Sequence, residues 1–351
     1  MTAIEQVTVD AVARRLSEPF EISLGVRESA RNLVVTVRTE SGIHGYGEGS
    51  PLPPVTGETQ PAAVAIAESA AEIVEGREVR NYRGLVSDVR NAFPGAVSAT
   101  FAVETAILDA YCREQGIPLA ELFGGTPETV ETDLTIPIVP PEEAALRAEE
   151  AVDAGFGHLK IKAGNDVATD IERIVAVHDI VPDAVLKIDA NQGWSPKETK
   201  QFATEADTRG IDLALIEQPV DKDDLSGLAY TRNHVDVPVA ADESVFSPAD
   251  ALAVVRSDAA DILNVKLGKS GALGAMAIAS VAEAANLDVM IGCMLESAVG
   301  IHTSAHVVAG LGTFEYVDLD GNLLLADDVV ETTFDPEIHP VGPGHGVTPD
   351  R

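Results

Sequence analysis

Lys160 and Lys162 stand two residues apart in the apolar run Leu159-Lys160-Ile161-Lys162, and Lys160 is the first lysine of the chain. In an extended strand, residues i and i+2 project from the same face. Two ammonium groups on one face repel each other, so a fold tolerates them only beside compensating anions. Candidate anions follow at the ends of later apolar runs: Asp189, Glu217 and Asp242, with a further lysine, Lys266, in a similar setting. Three hard carboxylates that leave room for water and substrate suit Mg²⁺, with Mn²⁺ as a substitute. Any one of them alone reads equally well as a helix cap; three successive strand ends do not. A free lysine, with a pKa near ~10.4, is a poor base at neutral pH, and a nearby dication together with a second ammonium is expected to lower it. A metal flanked by lysines fits abstraction of a proton α to a carboxylate, the metal stabilising the dianionic enediolate.

These residues need elements to position them. Short apolar runs end at Pro137, Lys162, Asp189, Glu217, Asp242, Lys266, Gly292 and Asp318, with steps of roughly 24–28 residues from Lys162 onward. Helical runs lie between them, among them Pro141 to Ala154, Asp166 to Ile180, Pro196 to Arg209 and Ala272 to Ala285. A constant βα step repeated this often predicts an α/β fold closed into a TIM-like barrel, the first strand near Thr132 to Pro137 and the eighth near Phe314 to Val317. Chemistry in such barrels sits at the C-terminal ends of the strands, where every charged residue named above falls. Lys162 on the second strand and Lys266 on the sixth then face each other across the ring, as inversion of configuration at carbon requires. Asp318 and Asp320 share a face at the mouth and can hold a cation.

The first part of the chain differs. Ile4 to Val9, Asn32 to Arg38 and Gly45 to Glu48 read as strands, with the polar stretch Glu18 to Arg31 as a connection without clear periodicity. Gly49 to Glu58 is too rich in Pro and Gly for regular structure. Ala62 to Val74 and Ala96 to Gln115 read as helices. Strands and helices in separate blocks predict an α+β domain over residues 1–125, bounded by Gly124-Gly125-Thr126-Pro127, ahead of a barrel over 126–325.

The 351 residues carry 57 acidic against 24 basic side chains, a net charge of −33 and a pI near 4.4. Nucleic acid and anionic membranes are poor partners for such a surface. A 45% apolar content excludes an acidic disordered chain, and the charge predicts adaptation to high salt, where screening removes self-repulsion. Cys112 and Cys293 are too few for a disulfide framework or a zinc motif. No signal peptide or bilayer-spanning run is visible, so a cytoplasmic protein is expected, assembled as a homo-oligomer. His302 and His306, at i and i+4 in apolar surroundings, read as packing residues, and Trp194 as structural.

Lys160-Ile161-Lys162, Asp189-Ala190-Asn191, Glu217-Gln218-Pro219, Ala241-Asp242-Glu243-Ser244 and Asn264-Val265-Lys266, with Gly45-Tyr46-Gly47-Glu48 upstream, resemble the muconate-lactonising subgroup of the enolase superfamily. The resemblance implies an N-terminal α+β capping domain over a (β/α)7β barrel, with residues 326–351 returning to the cap. It also implies one Mg²⁺ held by Asp189, Glu217 and Asp242; sites of this superfamily pair a lysine or histidine base with Mg²⁺. Gly292 to Ser297 and Asp318-Leu319-Asp320 are similar to dipeptide epimerases, which implies a dipeptide whose α-ammonium meets Asp318 and Asp320 while Lys162, Lys266 and Lys160 carry the chemistry. Thr135 matches a substrate-facing threonine, and Asn191, Glu296 and Arg27 complete the candidate substrate-binding set. Glutamate-specific members carry an arginine where Gly25 aligns here, with Arg27 close by. The same site running cycloisomerisation or β-elimination, as in muconate lactonisation or succinylbenzoate synthesis, is the alternative.

Overall fold

The structure is a computed structural model that describes residues 2–23 and 25–349. Strands β1 (Ile4–Ile22), β2 (Gly25–Thr39) and β3 (His44–Gly49) form an antiparallel sheet in sequence order. Helices α1 (Gln60–Val74), α2 (Tyr82–Ala92) and α3 (Val97–Gln115) follow, and Leu33, Val35 and Val37 of β2 pack with Ala63, Ala67, Leu85 and Ile107 of the helices. The polar stretch expected as a connection is instead a continuation of β1 and β2 into a long hairpin, with Phe20 opposite Arg27 and Ile22 opposite Gly25. Its alternation is weak because most of these residues are exposed or half-buried rather than packed on a core. The tip is docked on the barrel: Ile138 donates its N–H to the Glu21 carbonyl at 3.0 Å, and the Ser23 hydroxyl bonds the Asn191 carbonyl at 2.8 Å. Helix α2 was not apparent in the sequence, and Pro53–Thr56 adds a helical turn to the Pro-rich loop.

Glycine sets how closely α3 approaches the sheet. A Cβ on Gly47 would lie 2.6 Å from the Ala106 nitrogen and closer still to the Ala102 carbonyl, and Gly45 and Gly49 are as tightly covered. Gly47→Ala should therefore destabilise the protein by about 1–3 kcal/mol through overpacking. Calorimetry checks this; an unchanged melting temperature would contradict the packing described.

The second part is a barrel of eight parallel strands, β4 (Leu134–Ile136), β5 (His158–Lys162), β6 (Val185–Asp189), β7 (Leu213–Glu217), β8 (Val239–Ala241), β9 (Ile262–Lys266), β10 (Asp288–Gly292) and β11 (Tyr316–Asp318), ordered as in the sequence. Seven helices alternate with them: α4 (Pro141–Asp153), α5 (Val167–Ile180), α6 (Pro196–Thr208), α7 (Leu225–Arg232), α8 (Pro248–Arg256), α9 (Ala272–Ala285) and α10 (Ala298–Leu311). The architecture is (β/α)7β. The seam between first and last strands is closed by the Asp133 N–H on the Val317 carbonyl at 3.1 Å and the Leu319 N–H on the Thr132 hydroxyl at 2.7 Å. Helix starts follow local chemistry: Asp166 caps α5, and Ser195 with Glu198 forms a capping box on α6. Inside the ring, Leu215, Ala240, Ile262 and Met290 fill one level; the level toward the strand C-termini is charged.

The last residues touch both parts. Glu337–Ile338 pairs with Val130–Glu131, and Asp109 of α3 accepts the His345 N–H at 2.8 Å. His306 lies buried between the Ala120 N–H (3.2 Å) and the Val341 carbonyl (2.9 Å), and Trp194 donates to Asp170 while tilted against Phe202. Among the described residues no helix is long and apolar enough to cross a membrane.

Candidate active site

Strand alternation decides which residues meet inside the barrel. On β5, Ile161 packs outward with Ile136 and Ile188, which turns Lys160 and Lys162 inward. The same two-residue step turns Lys187 and Asp189 inward on β6, and Asn264 and Lys266 on β9. All these groups are buried, and buried charges persist only when paired. Lys162 Nζ lies 2.6 Å from Asp189 Oδ2 and 3.2 Å from Asn191 Oδ1. Lys160 pairs with Asp318 and stands 3.6 Å from Asp189 and 3.5 Å from Glu217. Lys266 lies 2.9 Å from Asp242 Oδ2, whose other oxygen is 2.5 Å from Lys269 Nζ.

Above this floor opens a cavity of about 700 Å³, its mouth included. Thr135, Lys160, Lys162, Asn191, Asp242 and Lys266 line its base, with Asp318 and Asp320 to one side. Phe20, Ile22 and Arg27 of the hairpin, with Leu52 and Val55 of the following loop, form the roof. Arg27 has no ion-pair partner among the described residues. Asp189 and Glu217 lie just beneath, in contact with the lysines. Glu296 differs from expectation in its placement. It is 1% exposed, accepts the Met294 N–H at 3.3 Å and does not line the cavity. Burial, reinforced by Glu48, pushes its pKa up to about 8.

The electrostatics identify two acidic sets. Oxygens of Asp133, Asp318 and Asp320 lie within 4.8 Å of one another. That set is largely satisfied from within: Lys187 is 2.5 Å from Asp133, Lys160 bonds Asp318, and the Thr135 N–H is 2.6 Å from Asp320, although one Asp133 oxygen stays unpaired. Among the described residues, Asp189, Glu217 and Asp242 form no cluster this tight; each lies against an ammonium group. In this second set Glu217 Oε2 is buried without a hydrogen-bond partner, and burial, then the Asp189 charge, pushes the Glu217 pKa up to about 8. An orphaned hard oxygen beside two further buried carboxylates at successive strand ends fits a divalent cation such as Mg²⁺.

Burial opposes charge on Lys160 and Lys266, but the carboxylates around them outweigh it and hold both pKa values well above the usual lysine range. Lowering them requires a competing cation on those carboxylates.

Glu243, Lys269, Lys187 and Asp133 were not singled out from the sequence. Glu243 lines the cavity, lies 3.3 Å from Asn191 Nδ2, and is pushed up to about 7 by burial, then by Asp242. Lys187 had a readable signal, standing one strand period before Asp189. Lys269 lies one helical turn beyond Lys266, and Asp133 became visible only through the closed seam.

Comparison with known proteins places the chain in a family. Residues 4–124 match the mandelate racemase/muconate lactonizing enzyme N-terminal domain, and residues 143–351 the enolase C-terminal domain-like family. The chain is 38% identical over 334 residues to an L-Ala-D/L-Glu epimerase of Thermotoga maritima, covering 95% of this chain and 96% of that one. The substrate-liganded L-Ala-D/L-Glu epimerase of Bacillus subtilis superposes with a TM-score of 0.95 at 34% identity, covering 98% of each chain. The Enterococcus faecalis dipeptide epimerase complexed with Mg and L-Leu-L-Tyr gives 0.93 at 35% identity over 99% of each. With both halves matched in order and these identities sustained over nearly its whole length, the chain belongs to the mandelate racemase/muconate lactonizing enzyme family of the enolase superfamily.

Proposed function

We propose that this protein is a Mg²⁺-dependent dipeptide epimerase, an isomerase that inverts the α-carbon of the second residue by proton transfer between two lysines. The observation that carries the reading is that Lys162 and Lys266, from the second and sixth of eight strands, line one cavity together with Asp318 and Asp320. Asp189, Glu217 and Asp242 would hold Mg²⁺, or Mn²⁺ in its place, which would supply positive charge beside the substrate carboxylate. Lys162 takes the α-proton from one face and Lys266 returns a proton to the other; the roles exchange for the opposite epimer. Lys160, buried against Asp318, stays charged and adds to stabilisation of the same oxygens. Asp318 and Asp320 bind the substrate ammonium, Asp320 being held by the Thr135 N–H. Asn191 keeps Lys162 directed toward the cavity, and Arg27 meets the substrate from the roof.

Incubating a dipeptide panel in D₂O with Mg²⁺ tests the assignment. Deuterium at the α-carbon with loss of chirality is expected, whereas a lactone or an alkene from an acyclic or cyclic dicarboxylate, with no exchange in any dipeptide, points to cycloisomerisation or elimination instead. Asp320→Asn should raise KM about 10- to 100-fold, the scale of a lost charged hydrogen bond. N-acetylation of the substrate should cost the unsubstituted enzyme a similar factor and the variant much less; equal penalties in both proteins would remove Asp320 from ammonium recognition.

We further propose a cytoplasmic, salt-adapted homo-oligomer; the net charge of −33 supports the salt adaptation. The protein's melting temperature should climb as KCl rises into the molar range, where self-repulsion is screened. A maximum already reached at low salt would contradict that adaptation.

A further inference from the structure

Two glutamates of the N-terminal domain are buried in the barrel rim, each at the start of a barrel helix. Helix α9 begins after Gly271, which offers no side-chain cap, so its first N–H groups need acceptors from elsewhere. Glu104, from the middle of α3, supplies one: its Oε1 accepts the Leu273 N–H at 2.7 Å. Arg90 of α2 bonds both Glu104 and the Ser270 carbonyl. The approach requires glycine at 271, where φ is +68° and a Cβ would collide with Arg90 Nη2 and lie 2.9 Å from Glu104 Cδ. Ser270 Oγ in turn donates to the Lys266 carbonyl at 3.3 Å. A continuous path of hydrogen bonds therefore runs from the N-terminal domain to the backbone of Lys266.

The second case lies one barrel unit further on. Glu48 of β3 accepts the Ser297 hydroxyl at 2.6 Å and the N–H groups of Ser297 at 3.0 Å and Gly300 at 3.2 Å, at the start of α10. Asn32 bridges Glu48 and the Leu295 carbonyl, each at 2.7 Å, and Ser50 donates to the same carbonyl at 3.0 Å. The loop held in this way contributes Met294 and Leu295 to the cavity wall, while its one carboxyl group, Glu296, stays outside the cavity.

We propose that Glu104 and Glu48 are interdomain positioning residues: Glu104 fixes the loop that bears Lys266, and Glu48 fixes the wall formed by Met294 and Leu295. The inference rests on the two-lysine reading above. Negative charge is favoured at a helix N-terminus, so each glutamate makes the shape of its loop depend on how the N-terminal domain is seated. The two contacts differ in what they hold, and their kinetic signatures differ accordingly. Loss of the Glu104 contact misplaces one of two bases and affects one direction of proton transfer. Loss of the Glu48 contact loosens a binding wall and affects both epimers alike.

The test follows α-proton exchange in D₂O from both epimers of L-Ala-D/L-Glu, L-Leu-D/L-Tyr or L-Lys-D/L-Arg, whichever pair the unsubstituted enzyme exchanges fastest. Lys162→Ala and Lys266→Ala identify which epimer each lysine serves. Glu104→Gln should lower kcat about tenfold for the epimer that Lys266→Ala silences, and less than about twofold for the other; displacement of a reacting group by a fraction of an ångström has effects of this order. Arg90→Ala leaves the buried carboxylate in place and should show the same asymmetry more weakly, which keeps the test open if Glu104→Gln does not fold. Glu48→Gln should raise KM for both epimers about tenfold with kcat within about twofold. Symmetric losses, or no loss, in both Glu104→Gln and Arg90→Ala would overturn the Glu104 role; an epimer-selective change in Glu48→Gln would overturn the Glu48 role. No exchange from any pair by the unsubstituted enzyme would overturn the epimerase reading itself and the inference with it.

Discussion

Lys266→Ala should stop α-proton exchange from one epimer while leaving measurable exchange from the other, and Lys162→Ala should show the reverse pattern. Each lysine ends a strand on opposite sides of the ring, so each reaches only one face of a carbon held between them. A side chain acting as general base contributes about 10²- to 10⁴-fold, and the silenced direction should fall by at least about 10³-fold. Net epimerisation should vanish in both variants, because completing the inversion needs the second proton donor. Exchange measured separately from each epimer by NMR in D₂O distinguishes this from general damage. Equal losses from both epimers in either variant would mean that one lysine serves both faces, or that neither is the base.

Glu217→Gln should sharply lower activity and at the same time stabilise the metal-free protein. Burial and the neighbouring Asp189 charge push the Glu217 pKa from its ordinary 4.5 up to about 8. The folded state therefore holds this proton more tightly than the unfolded state. Stability tied to it is fully present below about pH 4.5, falls as pH rises through the interval, and is wholly lost above about pH 8. A neutral isostere removes that dependence, so the melting temperature of the metal-free variant at pH 8 should exceed that of the unsubstituted protein by at least about 2 °C. Activity should fall about 10²- to 10³-fold, the scale of losing a group that stabilises transition-state charge. Added Mg²⁺ should raise the melting temperature of the unsubstituted protein and have little effect on the variant. A variant that is less stable at pH 8, or that keeps the Mg²⁺ response, would remove Glu217 from the metal set.

Legibility in the sequence followed the strength of the periodic signal. The barrel strands were readable because their charged residues interrupt otherwise apolar runs at a constant βα step, and because two-residue spacing fixes the facing of Lys160 and Lys162 without further information. The hairpin from Glu18 to Arg31 was not readable, since its strands lie on the rim and few of its side chains are buried in a core that would impose alternation. Helix α2 was missed for a related reason: only Leu85, Val86 and Val89 are buried on it, too few to stand out beside its arginines. Within the site, residues on one strand were legible and residues that meet only across space were not. Asp133 reaches Lys187 across the β4–β6 side of the ring, and Glu48 and Glu104 reach barrel helices from another sheet and helix altogether. The metal trio shows the same division. Its residues could be named from strand ends, but the upward pKa shifts of Glu217, Lys160 and Lys266 emerged only from the packed arrangement.

The most direct test of the central claim is a crystal structure of the protein with Mg²⁺ and a dipeptide bound. The α-carbon of the second residue should lie between Lys162 Nζ and Lys266 Nζ, with its carboxylate on an ion ligated by Asp189, Glu217 and Asp242 and its ammonium on Asp318 and Asp320. Both lysines on the same face of that carbon, or the ion seated instead among Asp133, Asp318 and Asp320, would contradict the account.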